Sequence, residues 1–238
     1  MRAAVLRPPR VDERLLLLGS TGSGKTEAAR ALLASGNYHH WVAIDWKGDF
    51  DPPVDCVLTR EPPWEHSRAW QQERVLYRPR AAGDREPRAL DRVLRWIFDR
   101  QQDEFDWRRR RPRTPRVLYL DEAFHVARRG QTAALSDLAT AGRALGLGLW
   151  VGSQRPRWIP VEVRSEASRW LVFYLTYRED QLEVTRYTAG QLTVDQLQRG
   201  WRNHSFWELS RAVGRDGFLR VHVRHFPPIR IPPHQQEV

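Results

Sequence analysis

The run Gly19-Ser20-Thr21-Gly22-Ser23-Gly24-Lys25-Thr26 constrains this chain more than any other feature. It satisfies the pattern G-x-x-x-x-G-K-[ST] in full, the pattern of a Walker A phosphate-binding loop. Glycines let the backbone curl so that successive N–H groups point inward at phosphate oxygens, and the following helix N-terminus adds its dipole. Such a loop works only between a strand and a helix. Leu15–Leu18 is an apolar run of the kind found in buried parallel strands, and Thr26 to Leu33 are good helix formers. In that setting Lys25 bridges the β- and γ-phosphates of a bound nucleotide, and the Thr26 hydroxyl ligates Mg²⁺.

The rest of the chain supplies the sheet that this unit needs. Strands are predicted at Trp41–Ile44, Cys56–Leu58, Val75–Tyr77, Val117–Leu120, Leu149–Ser153 and Trp170–Leu175. Leu90, Val93, Leu94, Ile97 and Phe98 follow helical spacing, which predicts an amphipathic helix over 88–105. Further helices are predicted over 132–144 and 178–187. Residues 108–116 read as a basic, proline-broken connector. Phe206–Leu209 and Phe218–Val223 read as a C-terminal hairpin around Gly214–Gly217, with a proline-rich arm after it. Strands alternating with helices imply an α/β fold, a mainly parallel central sheet flanked by helices. We read 1–226 as one domain and 227–238 as the arm.

Composition narrows the partners. The 238 residues carry a formal charge of +10, and Lys25 and Lys47 are the only lysines among 39 basic residues. A genome that writes arginine for lysine explains that ratio but not the excess of positive over negative charge. A basic surface attracts a polyanion by counterion release, and nucleic acid is the obvious candidate. One cysteine, Cys56, excludes an intrachain disulfide and a four-cysteine zinc site. His222 and His225 stand at odd spacing in a predicted strand, and His125 and His204 stand alone, so no transition-metal set emerges. No apolar run reaches membrane-span or signal-peptide length, which points to an intracellular protein.

Two further motifs follow strands. Asp121-Glu122 ends the Val117–Leu120 strand, as a Walker B pair would. Asp121 is suited to holding Mg²⁺ through water, and Glu122 to polarising the attacking water. Gln154-Arg155-Pro156 follows the next strand, where the Gln154 amide would sit beside the end of the loop strand and could sense the γ-phosphate or orient water. Taken alone, Gln154 reads equally as a solvated loop residue.

Together, the Gly19–Thr26 loop, Ile44-Asp45-Trp46-Lys47-Gly48-Asp49, Asp121-Glu122 and Ser153-Gln154-Arg155-Pro156 resemble the FtsK–HerA superfamily of DNA-pumping ATPases over roughly residues 14–190. The resemblance implies a RecA-like core, ATP and Mg²⁺ as cofactors, assembly into a homo-oligomeric ring (usually a hexamer) and ATP-driven translocation of double-stranded DNA. FtsK itself carries membrane helices and a DNA-reading domain, and HerA-type motors carry an N-terminal barrel. This compact chain, with about fourteen residues before its first strand, looks most like the genome-packaging ATPases of tailless, membrane-containing icosahedral viruses. That implies work in the host cytoplasm or at a virion vertex, beside a capsid-vertex or viral-membrane protein. A cellular HerA-like or conjugative-coupling translocase, and an assembly or secretion ATPase that binds protein, are the alternatives.

Ring motors of this kind complete the site with an arginine from the neighbouring subunit. Arg143 occupies the matching stretch before the Gln154 strand and is the first choice, with Arg155, Arg164 and Arg169 in reserve. Arg108–Arg111 reads equally as a DNA-facing run or a solvated one, and Arg128-Arg129-Gly130 as a pore loop after Walker B.

Overall fold

In the computed structural model, residues 6–35, 38–64, 69–79, 87–123, 133–198, 204–213 and 219–229 are described. Strand β1 (Arg14–Leu18) leads into helix α1 (Lys25–Leu33), and β2 (Trp41–Ile44), β3 (Cys56–Leu58) and β4 (Arg74–Tyr77) follow. Helix α2 (Pro87–Asp103) precedes two short strands, β5 (Phe105–Asp106) and β6 (Arg111–Pro112), and then β7 (Arg116–Leu120). Helix α3 (Ala133–Ala141) continues into a 3-10 turn (Gly142–Leu145) and β8 (Leu147–Ser153). Helix α4 (Val161–Glu166), β9 (Arg169–Val172), α5 (Arg178–Tyr187), α6 (Val194–Gln198), β10 (Phe206–Val213) and β11 (Leu219–Phe226) complete the described elements.

Nine strands form one sheet in the order β11-β10-β9-β1-β8-β7-β2-β4-β3. All pairings from β9 to β3 are parallel, and β10 and β11 add an antiparallel ribbon at the β9 edge. The parallel α/β architecture expected of the loop is therefore present. The C-terminal hairpin extends the same sheet rather than standing apart. Its turn, the 124–132 segment with Arg128-Arg129-Gly130, and most of the proline-rich arm lie outside the described residues.

Side chains alternating along buried strands feed two cores. Leu16 and Leu18 pack with Val42, Ile44, Leu118 and Leu120 under α2 and α3, whose Leu90, Val93, Leu135 and Leu138 face the sheet. Leu15 and Leu17 pack on the other side with Trp41, Ala43, Trp150 and the Ala28, Ala29 and Leu32 face of α1. Every residue of Leu15–Leu18 is at most 1% exposed, and each such leucine contributes about 1.5–3 kcal/mol of transfer free energy. This double-sided burial fixes β1, and with it the start of the loop.

The basic connector expected at 108–116 is instead a hairpin. Phe105 pairs with Pro112 and Asp106 with Arg111. Two-residue strands carry no periodicity, so prolines and arginines dominate the local sequence pattern.

Candidate active site

β1 ends where its two neighbours also end, and they clamp the loop. Gly19 N donates to the Ser153 carbonyl at the tip of β8 (3.1 Å), and Ser20 N to the Tyr174 carbonyl beyond β9 (2.8 Å). The Ser20 hydroxyl lies 2.7 Å from the Thr176 hydroxyl. A Cβ at Gly19 would stand 2.5 Å from Ser23 Oγ and 2.7 Å from Phe173 Cβ, so the close approach demands glycine. Gly24 enters α1 at φ 102, in the left-handed region that glycine adopts without penalty. Lys25 is buried, and its Nζ donates to the Ser20 carbonyl at 3.1 Å. Burial pulls the Lys25 ammonium below its usual range, while Glu122 and Asp121 pull it back up. An ammonium held between desolvation and two carboxylates is well placed for a phosphate chain.

β8 lies between β1 and β7, so the end of the strand carrying Gln154 sits between the loop and the acidic pair. Gln154 Nε2 donates to Glu122 Oε1 at 2.7 Å. Glu122 has φ 51, an uncommon conformation for a residue with a side chain. Asp121 is 1% exposed and accepts from the Tyr119 hydroxyl at 2.8 Å. Burial pushes its carboxyl up to about 6 against the lowering effect of that hydrogen bond, and neighbouring Glu122 raises it further.

Oxygens of Asp45, Asp49 and Asp121 lie within 4.8 Å of one another. Asp45 is already committed: it accepts from Gly48 N (2.7 Å), Phe50 N (3.2 Å) and Arg78 Nε (2.8 Å). Asp49 pairs with Lys47 at 2.9 Å. Asp121 Oδ2, Glu122 Oε2 and Ser23 Oγ, by contrast, are buried without a hydrogen-bond partner among the described residues. Buried polar atoms in folded proteins are as a rule paired. These three, beside Lys25 and the Thr26 hydroxyl, fit a nucleotide phosphate chain with Mg²⁺.

The cleft is lined by Thr21–Glu27, Lys47, Asp49, Glu122 and His204. Among these described residues there is no arginine. Arg143 lies before β8, at the opposite end of the strand from Gln154, and its side chain is 60% exposed with a loose 3.6 Å pairing to Asp12. The three reserve arginines are tied inside the subunit. Arg155 Nε donates to Asp180 Oδ2 at 2.6 Å, and its guanidinium lies over the rings of Trp158 (4.4 Å) and Tyr177 (4.2 Å). Arg164 pairs with Glu183, and buried Arg169 with Glu13 and Glu208. None of the three is free to leave.

Sequence reasoning missed His204. A Cβ on Gly24 would come 3.1 Å from His204 Cβ, so the histidine stands against the loop just before Lys25. It lies 180 positions away in the chain, just before β10, which returns antiparallel along β9.

No family model matches the chain. The DNA packaging ATPase P9 of Enterobacteria phage PRD1 is 25% identical over 189 residues, covering 79% of this chain and 75% of that protein. Among solved structures, the genome packaging NTPase B204 from Sulfolobus turreted icosahedral virus 2 in complex with AMPPCP matches with a TM-score of 0.63 at 15% identity, over 92% of this chain and 100% of that one. EssC (ATPases 2 and 3) from Geobacillus thermodenitrificans matches with a TM-score of 0.55 at 13% identity, over 91% of this chain and 40% of that one. The P-loop ATPase fold and the resemblance to viral genome-packaging ATPases read from the motifs are borne out.

Proposed function

We propose that this chain is a Mg²⁺-dependent ATPase that drives double-stranded DNA into a viral capsid, working as a ring of identical subunits. One observation carries the hydrolytic half: Glu122, held by the Gln154 amide at 2.7 Å, at the mouth of the Gly19–Thr26 loop. Likeness to a DNA packaging ATPase and the +10 charge support the DNA half.

In this reading the N–H groups of Thr21, Gly22 and Gly24 to Thr26 bind the phosphates, those of Gly19 and Ser20 being held by the neighbouring strands, and Lys25 neutralises them. Thr26 would hold Mg²⁺ and Asp121 would hold it through water, and the ion would supply neutralisation of the phosphate charge. Glu122 takes a proton from the attacking water, and Gln154 keeps its carboxylate aimed. Arg143 completes the site of a neighbouring subunit. Its exposure, its distance from its own loop and the lack of an arginine among the described residues of the cleft all support a role in trans. Such a finger is worth about 10³–10⁵ in rate. A hexamer at a capsid vertex, with residues 227–238 as an arm reaching a partner, is the assembly we favour.

The test is ATP turnover with and without duplex DNA across a salt series. The reading expects stimulation by DNA that weakens as salt rises. ATP hydrolysis indifferent to DNA, with no salt-sensitive DNA binding, would return the chain to the protein-binding class.

A further inference from the structure

The β5–β6 hairpin presents a tryptophan and four consecutive arginines to solvent, and no part of the ATPase site accounts for it. Trp107 is 65% exposed, whereas every other described tryptophan is buried or half-buried. Tryptophan, with a large apolar ring and one polar N–H, is enriched at interfaces, and here it is flanked by cations. Arg108, Arg109, Arg110 and Arg111 follow, all exposed. Only Arg109 has an ion pair among the described residues, a loose one to Asp106 at 3.8 Å.

The shape is built in advance. Asp106 Oδ1 accepts from Arg109 N at 2.9 Å across the turn, and Arg110 has φ 51 as it enters β6. The Phe105 ring meets Trp107 edge-on at 4.7 Å between centroids. At the root, buried Arg116 pairs with Glu104 at 3.2 Å and lies 4.2 Å over the Trp70 ring. The Gln101 amide donates to the Thr114 and Leu145 carbonyls, both at 3.0 Å. A Cβ on Gly146 would meet Pro112 Cγ at 2.4 Å, so the hairpin also packs tightly on the turn before β8. The hairpin backbone is thus ordered before a partner binds, and only its exposed side chains remain to be fixed.

We infer that this hairpin is a contact site for the sugar–phosphate backbone of double-stranded DNA, with Arg108, Arg110 and Arg111 on phosphates and Trp107 against the sugar edge of a groove. The inference rests on the DNA-motor reading and names the surface that reading leaves open. A protein partner would have to supply several carboxylates in one place. A second copy of this chain is poorly equipped for that: it has 29 acidic residues against 39 basic, and the acids beside the hairpin, Asp103, Glu104 and Asp106, already pair with arginines. A polyphosphate backbone meets the requirement at any sequence, since phosphate contacts carry no base code. The hairpin stands at the start of β7 and beside the start of β8, the two strands that end in Asp121 and Gln154. DNA held there sits at one end of the two strands whose other ends form the hydrolytic site.

The test is anisotropy of a labelled 30-base-pair duplex with the full chain between 50 and 300 mM salt. Variants are Arg108→Gln/Arg110→Gln/Arg111→Gln, Trp107→Ala, and a charge-matched control, Arg88→Gln/Arg178→Gln/Arg186→Gln. Each phosphate contact contributes about 0.9 to the slope of log affinity against log salt, so the hairpin triple should lower it by about 2–3. It should also weaken binding at least tenfold more than the control. Trp107→Ala should weaken binding with the slope unchanged, and DNA-free ATP turnover should be unaltered throughout. Wild-type binding with a hairpin triple no worse than the control overturns the hairpin assignment alone. Failure of the wild type to bind DNA at any salt overturns the DNA reading with it. Loss of binding only because sedimentation shows the oligomer dissociating makes the hairpin a subunit contact and also overturns the proposal.

Discussion

Gln154→Leu removes one hydrogen bond at nearly constant volume, and the structure says where the cost falls. Among the described residues the Gln154 amide is the one group that holds Glu122 Oε1, at 2.7 Å, and Glu122 Oε2 has no partner. With leucine, both oxygens of a 4% exposed carboxylate stand without a protein partner. A hydrogen bond to a charged group is worth about 1.5–3 kcal/mol. If that energy serves to aim the base in the transition state, each 1.36 kcal/mol costs tenfold in rate, so kcat falls by about 10- to 150-fold. The phosphate cradle is untouched, since Gly19 is held by the backbone carbonyl of Ser153 and not by the amide. ATP affinity should therefore stay within about threefold of wild type, the signature of a group acting only in the transition state. Steady-state turnover at saturating duplex DNA, beside equilibrium binding of a fluorescent ATP analogue, measures both. A kcat within twofold of wild type, or a loss carried wholly by affinity, would refute the positioning role.

The left-handed backbone at Glu122, φ 51, costs about 1–2 kcal/mol for a residue with a Cβ. Glu122→Gly should thus melt about 2–8 °C above Glu122→Ala, although neither hydrolyses ATP; equal melting points would mean the strain is absent. His40 is held below its usual range first by burial and then by Arg116. Both states are neutral above the ordinary value near 6.5; below it the unfolded chain takes the proton first, so stability falls with pH until the folded-state value is reached. The urea midpoint should drop between pH 7.5 and 5.5 by more in wild type than in His40→Gln, and parallel drops would remove His40 from the account. Arg143→Ala should hydrolyse poorly while binding ATP normally, and mixing it with Lys25→Ala subunits should restore some turnover; no rescue counts against an arginine in trans.

What the motifs disclosed, and what they hid, divides along a physical line. Gly19–Thr26, Asp121-Glu122 and Gln154 were legible because each is a local chemical requirement at a strand end, and strand order follows once β8 must pass between β1 and β7. His204 was not legible. Its place against Gly24 depends on the antiparallel return of β10 along β9, which no residue near either position encodes. Arg155 was legible as part of a signature but not as what it is. Trp158, Tyr177 and Asp180, the partners that pin it, are unremarkable until the turn after β8 and the start of α5 are brought together.

That pin bears on the catalytic argument. Arg155 is adjacent to Gln154, and its bond to buried Asp180 fixes the chain direction just where the amide must reach Glu122. At the other end of the same strand, Arg143 stands exposed. β8 therefore joins a rigidly held amide in its own subunit's site to the arginine proposed for the neighbour's. Strands buried on both faces do not bend independently at their two ends. A shift of the hairpin or of the 142–146 turn would therefore be felt at Gln154 as a displacement of the whole strand.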